Sequence, residues 1–507
     1  MAKIKLLTRI SSAALAALTA LTFASCGSKK TAMETVEAAA DKSYTQLTEK
    51  SDLVNKLEKV ANDGSIELKM DVGTLLQAFA PVSGLDLTAS IKGYSDADGG
   101  RSALRADILS GGTSIADLLL YMADNSISVS SNALFGNDVY GFSTDNFLSA
   151  FNNSQFGEDG YFSLGISAED ISAAIDSVDN YAVRAEKVTA LEETVNDVWD
   201  GLKDDVYALI EDNGTNTTSD ATLSVGGKDV KTTDVNFTYT GDQIADIIKG
   251  ALELAKDNDD VKEILDAMLE MMKSYYPSEE MYDLPAVDEL MDTINGAIDE
   301  GLDSIDDIRE DLADFKFSFT MHIGKSSKEL IGLTVDISEN ANSVVMKAVF
   351  GPSVNDIDEI SFSVDYKDEY ESHEMWIKYI VTEDTNDTYR AELSYNMDGD
   401  KADLAEIEWN KKSGELDASV TFEGETVSIK GKLLNEKDSI TLAVNSVTAQ
   451  GVTVDVGEIA LILSTNDTMP TNGAYTDILA MDEYAISDLL NEISESAQDI
   501  VSVLGMY

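Results

Sequence analysis

The sequence predicts an α+β fold in which curved antiparallel β-sheets pack on helices. Apolar and polar residues alternate strictly through several stretches, most clearly at 315–323, and period-two alternation is typical of half-buried strands. Other stretches carry apolar residues at helical spacing. Short polar turns, such as Ser413-Gly414, join successive strands, which predicts antiparallel pairing.

The first part of the chain begins with a helix predicted at 33–61, which Asn62-Asp63-Gly64 ends. Alternation then predicts strands, and a polar turn at Asp124-Asn125 predicts a hairpin. Ser167 and Asp170 have the spacing of a capping box, so helices are expected to follow. The predicted strands are 66–72, 85–91, 103–108, 116–122 and 127–129, with another beginning at 139–142, and the predicted helices are 171–178 and about 183–211.

The second part begins with strands around Leu223 and at 235–239, followed by three helical stripes between Ile244 and Ile298. A final helix is predicted at 483–504. The Met and Leu residues of the stripes are expected to face a core, although methionine side chains also line adaptable ligand pockets. Between the helices, alternation predicts strands at 315–323, 331–337, 360–366, 389–395, 416–422, 427–429, 440–444 and 452–456, with one apolar and one wet face.

This order of elements predicts two domains. Residues 33–212 form a first sheet-plus-helix domain, and residues 213–507 form a second with helices, a large antiparallel sheet and a C-terminal helix. A distant duplication of one sheet-plus-helix unit is a further hypothesis.

The first residues have the three zones of an export signal. Lys3, Lys5 and Arg9 form a basic start, residues 10–23 are uncharged and apolar or small, and small residues precede Cys26. The apolar zone is too short to span a bilayer, which takes ~20 apolar residues.

Ala24-Ser25-Cys26-Gly27 resembles the lipobox of bacterial lipoproteins, although leucine is commoner in that family where Phe23 stands. The resemblance implies a signal peptide at 1–25, cleavage between Ser25 and Cys26, and a tether at 26–32 with lipid such as palmitate on Cys26. Acyl chains would then hold the protein on the extracytoplasmic face of the cell membrane. The alternative is an ordinary secreted protein. Cys26 is the only cysteine, so no disulfide can form within the chain.

Charge excludes further functions. The chain carries 36 basic and 94 acidic side chains, and loss of the predicted signal leaves 33 basic residues and a net charge of about −61. Nucleic-acid binding depends on Lys and Arg meeting phosphate, so no nucleic-acid partner is expected. Anionic lipid head groups are also repelled. The acids either attract cationic partners or form a solvated, self-repelling surface, and their even spread favours the second interpretation.

No catalytic motif emerges, and the chain is predicted not to be an enzyme. His322 alternates with apolar residues and is expected on a solvated surface. His373 begins a sequence like that of zinc-protease helices, but no second histidine follows at the required spacing. A Ser-His-Asp triad lacks its Gly-x-Ser-x-Gly elbow, and no P-loop or Rossmann fingerprint occurs. No catalytic residue or cofactor is predicted.

Three acid clusters superficially resemble calcium loops, but none has the required EF-hand spacing. They are predicted to be turn residues, so no metal site is expected. Glycoside hydrolysis needs a pair of carboxylates. With 94 acidic residues some pair will always lie close together, so such a pair is no evidence for that activity. The clusters are Asp96–Gly99, 257–260 and Asp398–Asp400.

The lipobox followed by a helix and a sheet pattern with inserted helices resembles the LolA/LppX-like class of exported proteins. In that class a bent antiparallel sheet wraps over helices and can enclose an apolar cavity for lipid. The resemblance covers the architecture of 64–212, with 220–507 as a larger variant, and carries over no residue. The acidic composition and the Ser25–Lys30 start are also similar to those of lipoproteins of anaerobic Gram-positive bacteria.

Several functions remain open. The first is a non-enzymatic binding or carrier module for an apolar or cell-envelope ligand. The second is a structural or adhesion lipoprotein that binds another protein. A solute-binding lipoprotein of an ABC importer would have two lobes with parallel sheets, which the antiparallel pattern at 315–464 argues against. A hydrolase has no identifiable residues behind it.

Overall fold

The computed structural model describes residues 31–48, 52–79, 86–96, 99–123, 125–158, 168–275, 286–353, 356–422 and 424–503. The fold is α+β, as predicted, and its strands are mostly antiparallel.

The helices are α1 (Ala32–Thr48), α2 (Asp52–Asp63), α3 (Val72–Phe79), α4 (Asn132–Phe135), α5 (Phe147–Asn152), α6 (Gln155–Glu158), α7 (Ala168–Asp212), α8 (Gly241–Ala255), α9 (Asp259–Tyr275), α10 (Val287–Asp303), α11 (Ile305–Asp311) and α12 (Glu483–Val503), with a 3₁₀ turn at Ile478–Ala480.

The strands are β1 (Gly64–Asp71), β2 (Leu87–Asp96), β3 (Arg101–Ser110), β4 (Thr113–Ala123), β5 (Ser126–Ser130), β6 (Val139–Ser143), β7 (Thr215–Val225), β8 (Lys228–Thr240), β9 (Phe315–Gly324), β10 (Leu330–Glu339), β11 (Asn342–Ser353), β12 (Asp356–Lys367), β13 (Ser372–Asp384), β14 (Thr388–Met397), β15 (Asp400–Asn410), β16 (Glu415–Phe422), β17 (Glu425–Asn435), β18 (Ser439–Ala449), β19 (Val452–Ser464) and β20 (Thr476–Asp477).

The chain divides into two compact units. Unit 1 takes its described residues from Met1–Ser51, Val183–Glu383 and Arg390–Ala405, and unit 2 from Asp52–Ala182, Asp384–Tyr389 and Glu406–Tyr507. Both units are discontinuous in sequence, whereas the domains predicted at 33–212 and 213–507 are continuous. In unit 2 the cause is the pairing of β1 with β19, which places an early and a late strand side by side.

In unit 1, strands β7 to β13 pair in sequence order, and each pairing is antiparallel. One face of β8, β9 and β10 packs against α1, α7 and α8. Phe237 and Met321 are almost wholly buried there, because Met33 and Val36 of α1 and Tyr207 of α7 lie against them. The capping box formed by Thr240 and Gln243 begins α8.

In unit 2 the strands pair in the order β16-β17-β18-β19-β1-β2-β3-β4-β5-β6, again antiparallel. The short β20 runs parallel to β6, which differs from the purely antiparallel prediction. Gly431 lies at a bulge where any Cβ would meet the backbone oxygen of Ala443 at 1.8 Å. That position therefore requires glycine.

Several predicted elements need correction. The helix predicted at 33–61 corresponds to the two described helices α1 and α2, and residues 49–51 lie outside the described residues. Val72 begins α3 and does not extend β1, since the Asp71 carboxylate accepts a hydrogen bond from the Thr74 amide at 2.8 Å. The helices predicted at 171–178 and 183–211 are one helix, α7. Ser167, the predicted cap, lies outside the described residues.

Strands β11, β13 and β15 were not predicted. In β11, Val344 and Val345 are adjacent and lie on opposite faces, so the alternation is lost. In β15, Leu404 and Ile407 also fall on opposite faces. Most of the other predicted strands, and the C-terminal helix, are confirmed.

Candidate functional site: an open apolar face of unit 2

Three rows of directly paired residues cross the middle strands of unit 2. Directly paired residues lie on the same face of an antiparallel sheet, and so do residues two apart on one strand. Row A is Leu433, Leu442, Leu461, Leu68, Ile91, Ala106 and Leu118. Row B is Ile440, Leu463, Ile66, Gly93, Leu104 and Leu120. Row C is Gly431, Val444, Ile459, Met70, Ala89, Ile108 and Ala116.

No residue of rows A, B and C has a polar side chain, and none is buried. Ile66 is 50% exposed, Ile91 48% and Leu104 46%. We call this surface the open face. Row A crosses seven strands, or ~29 Å at about 4.8 Å per strand, and the three rows extend ~14 Å along them. The resulting ~400 Å² is in the range of the largest apolar patches on monomers, which are often functional.

The opposite face of the same strands is the buried one. After β19, residues 465–475 cross this face, and we call them the strap. Asp467 of the strap accepts a hydrogen bond from the Ser65 hydroxyl. Its carboxylate also forms an ion pair with Lys92, with Nζ and Oδ2 2.7 Å apart. Farther along, Asn472 donates to the Ser128 hydroxyl at 3.0 Å. Small side chains on this face are buried: Ser65, Ser90, Ala103, Ser128, Ala443 and Ala460.

The contacts of the strap also change the pKa of the Asp467 carboxyl group. Burial opposes the charged form of Asp467, but the bonds from Lys92 and Ser65 outweigh burial and lower its pKa below 3.8. The charged network therefore stabilises the position of the strap.

Helices cover the apolar face of unit 2 at its β5–β6 end. Row B continues from Leu120 onto Val129 and Tyr140 of β5 and β6. There Tyr140 is buried and lies edge-on to Phe135 of α4, with ring centroids 5.3 Å apart. The adjoining aromatic cluster contains Phe147 and Phe151, with Ile127, Phe142, Phe156 and Leu479 packed against them.

The predicted lipid-attachment residue Cys26 and the predicted cleavage site between Ser25 and Cys26 lie outside the described residues. Within the described part of the chain, no helix is long and apolar enough to cross a membrane.

His322 does not lie on a solvated surface, contrary to the prediction. It is 8% exposed; its Nε2 is 2.9 Å from the Thr334 hydroxyl and its Nδ1 is 3.0 Å from Asp234 Oδ1. Leu223 of β7, which belongs to a second small core, lies on the same side: a Cβ on Gly332 would come within 3.2 Å of Leu223 and 3.3 Å of His322. Alternation predicted which face of the strand carries His322, but it could not show that other residues pack on that face.

His373 lies on strand β13 beside an open cavity of about 590 Å³. Its Nδ1 is 2.8 Å from Asp398 Oδ2 and its Nε2 is 3.3 Å from Glu371 Oε2. Asp398 raises the pKa of His373 above 6.5 by accepting its hydrogen bond. Because both ring nitrogens face carboxylates, neither is placed to take a proton from neighbouring Ser372.

The described residues of the acid clusters lie in or beside turns, as predicted. Asp96 accepts a hydrogen bond from the Gly99 amide at 2.9 Å and pairs with Arg101. Asp257, between α8 and α9, bonds Asn295. Among the residues with a described position, no three His, Cys, Asp or Glu form a group that could hold a metal ion.

The open face is the feature that sequence reasoning missed. Alternation correctly grouped Ile66, Leu68 and Met70 on one face, but it could not show that this face is open. One signal was present in the sequence: the alternate positions carry small residues, such as Ser65 and Ala460, and small residues allow a chain segment to approach a sheet closely.

Comparison with known proteins gives no independent indication. No family model matches the chain, and no curated protein or solved structure is significantly similar to it.

Proposed function

We propose that this protein is a membrane-anchored extracytoplasmic lipoprotein that binds the acyl chains of a lipid on the open face of unit 2 and does no catalysis there. The observation that carries the proposal is the continuity of rows A, B and C, which expose only aliphatic side chains. Covering ~400 Å² of apolar surface is worth up to about 10 kcal/mol at 25 cal/mol per Å², before the costs of binding.

The composition of the open face favours acyl chains over a protein partner. Protein interfaces are enriched in aromatic residues and arginine, which carry most of their binding energy. Rows A, B and C contain neither. Their dimensions also suit lipid, because ~29 Å is about the thickness of the hydrocarbon core formed by two lipid leaflets.

Charge argues against a second copy of the chain as the occupant. Two bodies that each carry a formal net charge of −58 repel one another. A hydrocarbon chain has no charge and meets no such repulsion.

The acyl-binding proposal can be tested with the full chain carrying Cys26→Ser, which removes the predicted lipid attachment. The protein is incubated with a diacylglycerol, and bound lipid is counted by native mass spectrometry. The double variant Leu68→Ser/Ile91→Ser should lose most of the binding. Leu490→Ser is the matched control, because Leu490 is 51% exposed but lies on α12, outside the rows.

Equal binding by Leu68→Ser/Ile91→Ser and by the parent protein would refute the proposal. Near-ultraviolet circular dichroism of each variant shows whether it retains its packing, so that loss of binding is not confused with unfolding.

The proposed anchor is lipid on Cys26. Its support is the lipobox at Ala24–Gly27 together with the start of α1 at Ala32, which leaves only a short tether. Cells fed labelled palmitate should incorporate label into the wild-type protein and not into Cys26→Ser. Label in both proteins, or in neither, would contradict the anchor.

A second candidate function is binding of another protein by unit 1. Phe362 is 47% exposed and Ile377 44%; they are directly paired, and Met375 lies on the same face. Aromatic and methionine side chains are typical of protein interfaces. In a pull-down from envelope extract, Phe362→Ser should lose a partner that Leu68→Ser/Ile91→Ser retains.

We also propose that the two units are related. In each unit, part of the apolar face of an antiparallel ladder packs against helices. A solved structure of the whole protein would test this, and different strand connections around the helix-covered parts of the two ladders would contradict it.

A further inference from the structure

We propose that the lipid bound by the open face has an uncharged, hydroxyl-bearing head group, as a diacylglycerol does. This inference rests on the proposed function, because it concerns the part of the same ligand that lies beyond rows A, B and C.

The first observation is the rim of the open face. One step beyond row B on the same face, Gly64 pairs with Ser95 and Ser95 pairs with Ser102. Both serines are partly exposed. At the end of row B, Asn435 is paired with Ile440, but its side chain is already bonded to α2: Oδ1 accepts from Lys56 at 2.6 Å and Nδ2 donates to Asp52 at 3.4 Å. A hydroxyl group both donates and accepts hydrogen bonds, so Ser95 and Ser102 match a head group that does the same.

The second observation is the placement of the basic residues. Lys69, Lys92 and Arg105 alternate with residues of the rows, so they project from the opposite face. Lys92 is paired there with Asp467. At the rim end of the strands, Arg101 is paired with Asp96. Lys56 of α2 does reach the rim, where it donates to Asn435 at 2.6 Å, but it is paired with Asp52 at 2.9 Å. An anionic phosphate on the rim would therefore have to compete with a carboxylate for either cation, Lys56 or Arg101.

The third observation is the charge of the whole chain, −58. A phosphate brought to the rim would be repelled by this charge. It would also lose hydration, which is costly, while Lys56 and Arg101 are already paired with Asp52 and Asp96. An uncharged hydroxyl group meets neither penalty.

The test is a competition between a diacylglycerol and a phosphatidylglycerol with identical acyl chains, presented at equal concentration to the full chain carrying Cys26→Ser. Native mass spectrometry reports the ratio of the two bound lipids. Diacylglycerol should exceed phosphatidylglycerol by about tenfold or more. Ser95→Ala/Ser102→Ala should reduce that ratio about three- to tenfold, the effect of one or two hydrogen bonds. Ser219→Ala, an exposed strand serine of unit 1, should leave the ratio unchanged.

Hexadecane, which has no head group, separates the two proposals. Ser95→Ala/Ser102→Ala should bind hexadecane like the parent protein, whereas Leu68→Ser/Ile91→Ser should not bind it. Equal binding of the two lipids, or a preference for phosphatidylglycerol, would overturn the head-group inference while leaving acyl binding intact. Failure of the parent protein to bind any of the three compounds would overturn the proposed function itself.

Discussion

In unit 1 the apolar side chains of β8, β9 and β10 lie beneath helices, whereas in unit 2 the apolar side chains from β17 to β4 face solvent. Phe237 and Met321 represent the first arrangement, and Leu68 and Ile91 the second. Both sets come from the same alternating pattern in the sequence. The difference shows that alternation determines which side chains share a face, while the elements packed on that face determine whether it is a core or a surface.

The largest expected effect contrasts the two faces directly. Phe237→Ala should reduce the free energy of unfolding of unit 1 by about 3–5 kcal/mol, because it leaves a cavity in a closed core. Leu68→Ala should cost unit 2 less than about 1 kcal/mol, because a side chain already 40% exposed gives up little burial.

Urea denaturation of single-tryptophan proteins separates the two units. Trp199 packs against the core of unit 1, and Trp409 reports on unit 2, where its Nε1 donates to the Leu433 carbonyl at 2.7 Å. A loss from Leu68→Ala as large as that from Phe237→Ala would mean that the open face is closed in solution.

The sequence predicted much of the fold, because most strands of this chain have one apolar and one polar face. Strands with apolar residues on both faces, such as β11, were missed since they lack that signal. The domain boundaries could not be predicted because the pairing of β1 with β19 joins residues almost 400 positions apart, as in Leu68 and Leu461. Local patterns carry no information about such a pairing.

The candidate site was predicted only in part. The apolar residues of its strands were identified, but the strap was not, because residues 465–475 contain no periodic pattern. The strap makes the small-residue face the buried one. His322 was misplaced for the same reason: a segment distant in sequence covers a face whose composition alone suggests solvent.

The next effect tests the strap. Asp467→Ala should destabilise unit 2 by about 1–3 kcal/mol, because it leaves Lys92 and Ser65 without their shared partner. The single-tryptophan protein with Trp409 measures this loss, and the Trp199 protein should show none. Glu495→Ala, which changes an exposed acid of α12 in unit 2, is the control outside this network. If Asp467→Ala were as stable as the control, the strap would not be held by this network.

A smaller expected effect is that the stabilities of the two units change with pH in opposite directions. Burial raises the pKa of Glu37 in unit 1 above 4.5, with nearby Asp41 and Glu34 adding to the rise and Lys203 and the Tyr207 hydroxyl opposing it. The folded state therefore holds this proton more tightly than the unfolded state, and unit 1 gains stability as pH falls through the folded pKa of Glu37 towards 4.5.

The stability contribution of Asp467 depends on pH in the opposite direction. Its pKa is lowered below 3.8, so its contribution to unit 2 is present above pH 3.8 and is lost as pH falls towards its folded pKa. Glu37→Gln should stabilise unit 1 at pH 7 and remove its gain on acidification, as measured by urea denaturation between pH 7 and pH 4. Unchanged pH dependence in Glu37→Gln would show that this carboxylate is not the group responsible.

The smallest effect concerns the only two histidines of the chain, both in unit 1. His373 is partly exposed between Asp398 and Glu371, which stabilise its protonated form, so its pKa should lie above 6.5. Its small contribution to stability is present below pH 6.5 and lost as pH rises through the folded pKa.

Proton NMR titration of the imidazole signals measures this pKa, and His322→Gln assigns the remaining signal. Asp398→Asn removes the carboxylate charge that contributes most, so the pKa of His373 should fall towards 6.5. A pKa that stays raised in Asp398→Asn would assign the effect to Glu371 and break the proposed link between the turn at Asp398 and strand β13.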